Sequence, residues 1–398
     1  MVELSDEQEK VLKDVIDFIK NNMFVTIGGY AGTGKTFLIS HIADRIRSRK
    51  FSKIAFVTFT GKASCVLKQK LFNIEKIDYV GTIHSLLYHP EFRYDPVTMK
   101  RVIHKWKKKD DLDYDLIIID EASMVPKKLL DDLKSYFIPI IAVGDHGQLP
   151  PVGNEKSSII QYPQYSLKTI HRQCRNSPII KLSQIVRRNG YIPVNTVFSK
   201  SVFKIEWNQP KCQQLWNNIT IDNDMIILCA FNKTRVKINN EIRDRNNYKE
   251  EIPYAGEKII CLRNNHENGL MNGEIGNLLW AYKIRKNFFR FTLELPSSSD
   301  PIECVANTEC FGKESYDNIY EFNSKKYSRL LKDNGVTNVD FFDYGYCTSV
   351  HKSQGSEWDK VVLFEQRTRF WDDEFYMKWL YTAVTRAKSS LFIISNYW

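Results

Sequence analysis

Short runs of consecutive apolar residues recur along the chain and alternate with segments of helical periodicity. The runs lie at 24–27, 54–57, 116–119, 138–143, 225–228, 360–364 and 391–394. Continuous apolar runs rich in β-branched residues are typical of strands that are buried on both faces of a parallel sheet. A helical pattern follows the first run, over residues 37–48. The alternation predicts two α/β units built from βαβ repeats, the second of them interrupted.

Two segments break this pattern. Residues 250–342 are rich in Asn, Gly, Tyr and Phe and contain short alternating stretches, which predicts a small β module inserted in the second unit. Within 88–113, residues 92–102 predict a hairpin that turns around Asp95 and Pro96. The basic stretch 105–109 that follows suits duplex phosphates, and it equally fits a solvated loop.

Composition narrows the classes of protein. The length of 398 residues predicts two to three domains, and the ordinary hydrophobic content of 43% excludes wholesale disorder. The 57 Lys and Arg residues against 47 Asp and Glu give a net charge of +10, which fits a polyanionic partner. The eight cysteines include no C-x-x-C pair, which indicates reduced thiols in a cytoplasmic compartment and argues against a zinc site. The acidic start and the absence of a long apolar run predict neither a targeting signal nor a membrane span.

A phosphate-binding loop is predicted between the first run and the helix after it, where residues 29–36 read GYAGTGKT and match G-x-x-x-x-G-K-[ST]. The glycines let backbone N–H groups approach phosphate. We expect Lys35 to contact the β- and γ-phosphates and Thr36 to bind Mg²⁺. The residues of the loop predicted to hold the nucleotide are Gly29, Ala31, Gly32, Thr33, Gly34, Lys35 and Thr36.

Two carboxylates and an amide extend this chemistry. Asp120 and Glu121 end the run 116–119, so Asp120 can reach the metal held by Thr36, and Glu121 can orient or deprotonate the attacking water. Gln148 follows the fourth run, where its amide can sense the γ-phosphate. The residues alone therefore predict binding and hydrolysis of ATP with Mg²⁺.

Together with the segment 120–124, these motifs resemble those of superfamily 1 helicases, in particular the RecD-like and Dda-like branch. The resemblance covers residue 8 to about residue 394. It implies an α/β fold with two RecA-like P-loop domains, each with a parallel sheet. The implied boundaries are 1–170 for the first domain, 88–113 for a hairpin insertion (the pin) within it, 171–249 and 343–398 for the second domain, and 250–342 for an SH3-like β insertion.

The resemblance also assigns roles to residues. It implies that Gln8 reads the adenine, that Gly355 and Glu357 contact the nucleotide, and that Arg172 and Arg386 stabilise charge on the transferring phosphoryl group. The residues implied to bind nucleic acid are Thr60, Lys62, Thr82, His84, Phe92, Asn232, His351 and Ser353. Structural alternatives stay open for these, namely a capping hydroxyl, a buried histidine and a solvated lysine.

The implied function is that of an ATP-driven DNA helicase that moves 5′→3′ along single-stranded DNA and separates strands at a fork. We expect a monomer that binds single-stranded and forked duplex DNA, without a membrane, in company with single-strand-binding, replication or recombination proteins. The alternatives are an RNA helicase of the same superfamily and a nucleic-acid-binding ATPase without unwinding activity. A metabolic P-loop kinase would lack the second set of motifs at 351–357 and 381–388.

Overall fold

The computed structural model describes residues 3–47, 51–94, 101–151, 159–171, 177–265, 268–285, 287–314, 333, 335–336 and 339–396. The chain divides into two compact units. Unit 1 comprises Met1–His89, Trp106–Ile192 and Arg369–Thr385. Unit 2 comprises Pro90–Lys105, Pro193–Thr368 and Arg386–Trp398. None of the helices in the described ranges is long and apolar enough to cross a membrane.

The described helices and strands follow in chain order. The α-helices are α1 (Asp6–Ile19), α2 (Lys35–Arg47), α3 (Gly61–Lys70), α4 (Ile83–Leu87), α5 (Lys127–Lys134), α6 (Pro178–Asn189), α7 (Pro210–Asn218), α8 (Asn232–Arg245) and α9 (Asp373–Val384). The strands are β1 (Phe24–Gly29), β2 (Ile54–Thr58), β3 (Tyr79–Thr82), β4 (Tyr88–Tyr94), β5 (Arg101–Lys108), β6 (Leu116–Ile119), β7 (Ile140–Gly144), β8 (Tyr165–Leu167), β9 (Thr196–Ser199), β10 (Val202–Glu206), β11 (Met225–Cys229), β12 (Lys258–Cys261), β13 (Ile275–Arg285), β14 (Phe288–Glu294), β15 (Ile302–Asn307), β16 (Phe342–Tyr344), β17 (Cys347–Ser349), β18 (Trp358–Phe364) and β19 (Ala387–Ser395).

Unit 1 is built on a six-stranded sheet in the order β3-β2-β6-β7-β1-β8, in which every pair of neighbours is parallel. The four apolar runs predicted from the first part of the sequence are its strands β1, β2, β6 and β7, and they are almost completely buried. Because the carboxyl ends of parallel strands meet at one edge, the segments after β1, β6 and β7 converge there. This edge carries the predicted phosphate loop, the two carboxylates and the amide.

Unit 2 contains a second six-stranded sheet, in the order β17-β11-β18-β19-β10-β9. Its neighbours are parallel except for the edge strand β9, which is antiparallel to β10. The three later apolar runs are strands β11, β18 and β19, which confirms the prediction of a second α/β unit.

The segment between β11 and β17 contains a five-stranded antiparallel sheet in the order β15-β14-β13-β12-β16. The sequence predicts this β module at 250–342, and its last strand extends two residues further, to Tyr344. Phe289, Phe291 and Phe342 are fully buried in its core, where the rings of Phe291 and Phe342 pack edge to face with centroids 5.0 Å apart.

The predicted hairpin is present as the two-stranded sheet of β4 and β5, whereas its turn around Asp95 and Pro96 lies outside the described residues. The units divide the chain at places other than the expected boundaries. Helices α6 and α9, which pack against each other, both group with unit 1, and Pro90–Lys105 of the hairpin groups with unit 2.

Candidate nucleotide and nucleic-acid site

The predicted phosphate loop connects β1 directly to the first turn of α2. Gly32 and Gly34 have φ angles of 81° and 74°, a left-handed conformation that side chains rarely adopt. A Cβ atom at Gly34 would also lie 2.6 Å from the amide nitrogen of Gln8. Lys35 folds back over the loop, and its ammonium group donates to the carbonyl of Tyr30 across 3.2 Å. The loop therefore has the tight backbone and the inward cation that phosphate binding requires.

The carboxylate of Asp120 lies beside the start of α2. Thr36 donates its hydroxyl hydrogen to Oδ2 of Asp120 across 3.2 Å, and the amide of Glu121 donates to Oδ1 across 2.9 Å. Burial raises the pKa of Asp120, while the Glu121 amide and the Lys35 ammonium group act in the opposite direction. Glu121 has a φ of 53°, so the chain turns sharply as it leaves β6.

The pair of Thr36 and Asp120 fits a magnesium ion. Magnesium prefers oxygen ligands, and ions bound with nucleotides usually take only one or two carboxylates from the protein. Over the described ranges, no group of three or more His, Cys, Asp or Glu side chains could hold a metal ion. A hydroxyl and one carboxylate at the phosphate loop are therefore the donor set that a phosphate-bound magnesium ion needs, and they do not form a free-standing metal cage.

Gln148 lies in a tight turn after β7 and is 4% exposed. Its backbone amide donates to the carbonyl of Asp145 across 3.2 Å, which closes the turn. Its side-chain Oε1 is buried and has no hydrogen-bond partner among the residues that the structure describes. A buried amide oxygen in this state calls for a ligand or water to complete its bonding.

Gln8 is buried within unit 1, and its side-chain amide lies within hydrogen-bond distance of three other residues. In a capping box at the start of α1, its Oε1 accepts from the backbone amide of Ser5 across 3.0 Å. Its Nε2 donates to the carbonyl of Thr33 across 3.2 Å and lies 2.8 Å from Nε2 of His171. Gln8 thus ties α1 to the phosphate loop.

The predicted strand-contacting residues of unit 1 also have local roles. Thr60 and Thr82 are the N-cap residues of α3 and α4, and their hydroxyls accept from Ala63 and Ser85. The ring of His84 packs edge to face with Trp106, with centroids 4.6 Å apart. The remaining unit 1 candidate is Lys62, which lies in the first turn of α3.

Unit 2 contains a further group of the predicted residues. Asn232 is the first residue of α8, and its side-chain oxygen accepts from Nε of Arg235 across 3.4 Å. Ser353 is fully buried and donates to the carbonyl of Val350 across 2.7 Å. Burial lowers the pKa of His351. Asn232 and Ser353 form hydrogen bonds within unit 2, and His351 is partly buried. The part of these residues in nucleic-acid binding stays a prediction.

The remaining predicted residues differ in exposure. Arg386 is 3% exposed and donates from Nη1 to the carbonyl of Ser356 across 2.9 Å. Gly355 has a left-handed φ of 73°, and the neighbouring Glu357 is exposed. Phe92 is 40% exposed on β4 of the hairpin.

Within unit 1 the structure brings together six of the predicted nucleotide residues: Gln8, Lys35, Thr36, Asp120, Glu121 and Gln148. Arg386, Gly355 and Glu357 belong to unit 2. Arg172 lies outside the described residues. The sequence analysis did not single out Tyr381, although this residue lies in the segment 381–388. In the structure its hydroxyl donates to Asp145 and accepts from the backbone amide of Ala31 in the phosphate loop. Its only signal was its position five residues before Arg386.

Comparison with known proteins matches both ends of the chain to families. Residues 13–154 match the model of an AAA domain, and residues 344–394 match the model of a UvrD-like helicase C-terminal domain. The chain is 24% identical to the ATP-dependent DNA helicase Dda of Enterobacteria phage T4, in an alignment that covers 98% of this chain and 99% of Dda. It is 25% identical to the uncharacterized protein MJ1519 of Methanocaldococcus jannaschii, where the alignment covers 98% of this chain and 38% of the relative.

The fold resembles that of a solved helicase. The crystal structure of Pif1 helicase from Bacteroides, in complex with ADP-AlF3 and single-stranded DNA, superposes with a TM-score of 0.56 at 20% identity, covering 100% of this chain and 93% of Pif1. The two α/β units and the phosphate loop define a P-loop protein with two RecA-like domains. The two family models and the similarity to Dda and RecD support the resemblance of the chain to superfamily 1 helicases, in the branch that contains RecD, Dda and Pif1.

Proposed function

We propose that this chain is an ATP-dependent DNA helicase that moves 5′→3′ along single-stranded DNA and separates the strands of a forked duplex. The observation that carries the proposal is the assembly of Lys35, Thr36, Asp120, Glu121 and Gln148 at one edge of the unit 1 sheet. The resemblance to superfamily 1 helicases assigns ATP turnover at this site to movement along nucleic acid. Dda, which the chain matches over almost its full length, is named as an ATP-dependent DNA helicase.

Each residue of the ATP site has one part in the proposed reaction. Lys35 and the loop amides hold the β- and γ-phosphates, and Glu121 orients the attacking water and accepts its proton. Thr36 and Asp120 would hold Mg²⁺, which supplies charge neutralisation on the phosphate oxygens. The Oε1 atom of Gln148, which has no hydrogen-bond partner in the described part of unit 1, accepts a hydrogen bond from that water.

Two arginines complete the proposed site. By resemblance, Arg386 and Arg172 stabilise the charge that develops on the transferring phosphoryl group. Arg386 belongs to unit 2, so hydrolysis would require the unit that carries it to act on a nucleotide bound by unit 1. By the same resemblance, ATP turnover would be linked to movement of the units and so to stepping along a strand.

The proposed DNA path uses residues of both units. In unit 1, Thr60, Lys62, Thr82 and His84 contact the strand. In unit 2, Asn232, His351 and Ser353 do so. Phe92 and the exposed Tyr94 of the hairpin would act as the wedge that separates base pairs. The net charge of +10 favours the polyanionic strand. We propose that the chain acts as a cytoplasmic monomer, with single-strand-binding, replication or recombination proteins as further partners.

A forked-substrate assay tests the proposal. Unwinding is measured on DNA and RNA forks with either a 5′ or a 3′ tail, beside ATPase activity with and without single strands. We expect unwinding of DNA forks with a 5′ tail and ATPase activity that single-stranded DNA stimulates. Preference for RNA forks would establish the RNA helicase, and stimulated ATPase activity without unwinding on any fork would establish a nucleic-acid-binding ATPase.

A further inference from the structure

The hydroxyl of Tyr381 contacts the phosphate loop. Tyr381 lies in α9 and is fully buried, and its oxygen accepts a hydrogen bond from the backbone amide of Ala31 across 2.9 Å. The same hydroxyl donates to Oδ2 of Asp145 across 2.7 Å. Ala31 is part of the loop whose N–H groups are expected to bind phosphate. A phenol oxygen therefore occupies one of the N–H donors of the phosphate loop.

A second bond ties α9 to the segment that contains Gln148. Thr382, next to Tyr381, accepts from the backbone amide of Leu149 across 3.0 Å. Oδ1 of Asp145 accepts from the amide of Gly147 across 2.9 Å. Helix α9 is thus bonded to residues on both sides of Gln148.

The ring of Tyr381 is held in a cluster that also contains the loop residue Tyr30. The two rings pack edge to face with centroids 6.1 Å apart, and the guanidinium group of Arg187 lies 3.4 Å from the centre of the Tyr30 ring. A Cβ atom at Gly147 would lie 3.0 Å from Tyr30 and 3.2 Å from Tyr381, so a larger residue there would disturb both rings. Packing therefore holds the ring of Tyr381 beside the phosphate loop.

Helix α9 leads directly to the arginine of the proposed reaction. It ends at Val384, and Thr385 donates its hydroxyl hydrogen to the carbonyl of Tyr381 across 3.0 Å. The next residue is Arg386, where the chain passes from unit 1 to unit 2. A shift of Tyr381 is therefore a shift within a helix that ends two residues before Arg386.

We propose that Tyr381 is a positioning residue that couples occupancy of the phosphate loop to Arg386, an inference that rests on the proposed ATPase function. A phosphate oxygen that accepts from Ala31 displaces the phenol oxygen, and Tyr381 keeps its bond to Asp145. Helix α9 then loses its bond to the loop but stays bonded to the segment of Gln148. Helix α9, which leads into Arg386, thus differs in its contact to the phosphate loop when phosphate is bound.

The test compares Tyr381→Phe with Tyr376→Phe, which removes a hydroxyl from the same helix five positions before Tyr381. Both are measured beside the wild-type chain for affinity to a non-hydrolysable ATP analogue, for kcat and KM of the DNA-stimulated ATPase, and for melting temperature. Removal of a competitor for Ala31 should tighten analogue binding about threefold or more, because the binding-competent loop becomes more populated. Loss of the coupling should lower the stimulated kcat by about tenfold.

Tighter analogue binding together with a lower kcat, in Tyr381→Phe and not in Tyr376→Phe, supports the proposal. Unchanged binding and kcat overturn it, and so does weaker binding with a lower melting temperature, which indicates a merely structural tyrosine. If Tyr381→Phe fails to fold, Thr382→Val, which removes the acceptor for Leu149, is expected to lower kcat without weakening analogue binding, and an unchanged kcat overturns the proposal. A wild-type chain that binds the analogue but lacks ATPase activity would contradict the proposed function, while the binding comparison would still test the competition at Ala31.

Discussion

Thr36 and Asp120 are joined by a hydrogen bond of 3.2 Å, although they are 84 positions apart in the chain. Thr36 lies in the first turn of helix α2, after the phosphate loop, and Asp120 directly follows strand β6. The parallel sheet brings them together because the carboxyl ends of β1 and β6 lie at the same edge. The two oxygens that would hold Mg²⁺ in the proposed site are therefore brought together by the fold of the sheet itself.

Substitution of the proposed base tests the chemistry at this edge. In Glu121→Gln the side chain keeps its size but cannot accept a proton from the attacking water, so turnover should fall by about 100-fold or more. Binding of ATP should be unchanged, because Lys35 and the loop amides remain. Single-turnover hydrolysis and analogue binding, measured side by side, check this result. Normal hydrolysis by the variant would remove Glu121 from its assigned role.

The loop lysine should affect binding as well as turnover. Lys35→Ala removes the ammonium group that contacts the carbonyl of Tyr30 in the phosphate loop. Nucleotide affinity should therefore fall by about tenfold or more, and hydrolysis should be lost. Lys388, an exposed lysine in unit 2, provides the control: Lys388→Ala should leave nucleotide affinity unchanged. Equilibrium titration with a fluorescent nucleotide measures both. Equal affinities of the Lys35 variant and the wild-type chain would contradict phosphate binding by this loop.

The sequence predicts those parts of the fold that depend on local pattern. The apolar runs become strands of two mainly parallel sheets, and Gly32 and Gly34 of the phosphate loop take left-handed φ angles. The sequence places Asp120 near Thr36 because Thr36 belongs to the phosphate-loop motif and Asp120 follows a predicted strand of the same sheet. Seven strands of the two sheets are therefore readable from hydrophobicity, whereas the shorter or less apolar strands β3, β8, β9, β10 and β17 are not.

Contacts between distant parts of the chain could not be predicted. The bond between Tyr381 and Ala31 joins residues 350 positions apart, and nothing in the neighbourhood of either residue indicates it. The grouping of α6 and α9 with unit 1 depends likewise on packing between two helices of ordinary amphipathic pattern. Gln8 was expected to read the adenine, but the hydrogen bonds that it makes to Ser5 and Thr33 emerge only in the folded chain.

Arg386 should affect the rate and not the binding of ATP. Arg386→Ala is expected to lower the DNA-stimulated kcat by about 1,000-fold, the scale on which an arginine stabilises phosphoryl transfer. The buried guanidinium group also donates to Ser356, so the melting temperature is measured in parallel. Arg386→Lys keeps the charge but not the planar donor fork, and it should recover only a small part of the rate. Full activity of either variant at normal stability would contradict the assignment.

The hairpin should be needed for strand separation and not for ATP turnover. Phe92 and Tyr94 are exposed on β4, and their joint change to alanine should lower unwinding of forks about fivefold or more, since stacking of a base on an aromatic ring contributes about 1–3 kcal/mol. The ATPase activity stimulated by single strands should be unchanged. Tyr162→Ala, which removes an exposed aromatic of unit 1, is the matched control. Unwinding at the wild-type rate by the double variant would refute the wedge.

Substitution of Gln8 distinguishes two roles of this residue, which are support of α1 and the phosphate loop and direct contact with the adenine. Its amide oxygen accepts from Ser5, and its amide nitrogen donates to Thr33 in the phosphate loop, so little of the group is left to contact a base. Gln8→Ala should lower stability by about 1–2 kcal/mol, the usual cost of losing a helix cap and a buried hydrogen bond. Because the loop itself is loosened, KM should rise by the same factor for ATP and for GTP.

The variant Gln8→Glu refines this test, because it keeps an acceptor for Ser5 but places a carboxylate oxygen against the carbonyl of Thr33. It should keep most of the helix-capping energy and still raise KM for both nucleotides, which separates the cap from the loop contact. Thermal melting and steady-state kinetics with ATP and GTP measure the two effects. A rise in KM confined to ATP, in either variant, would instead establish that Gln8 reads the adenine directly.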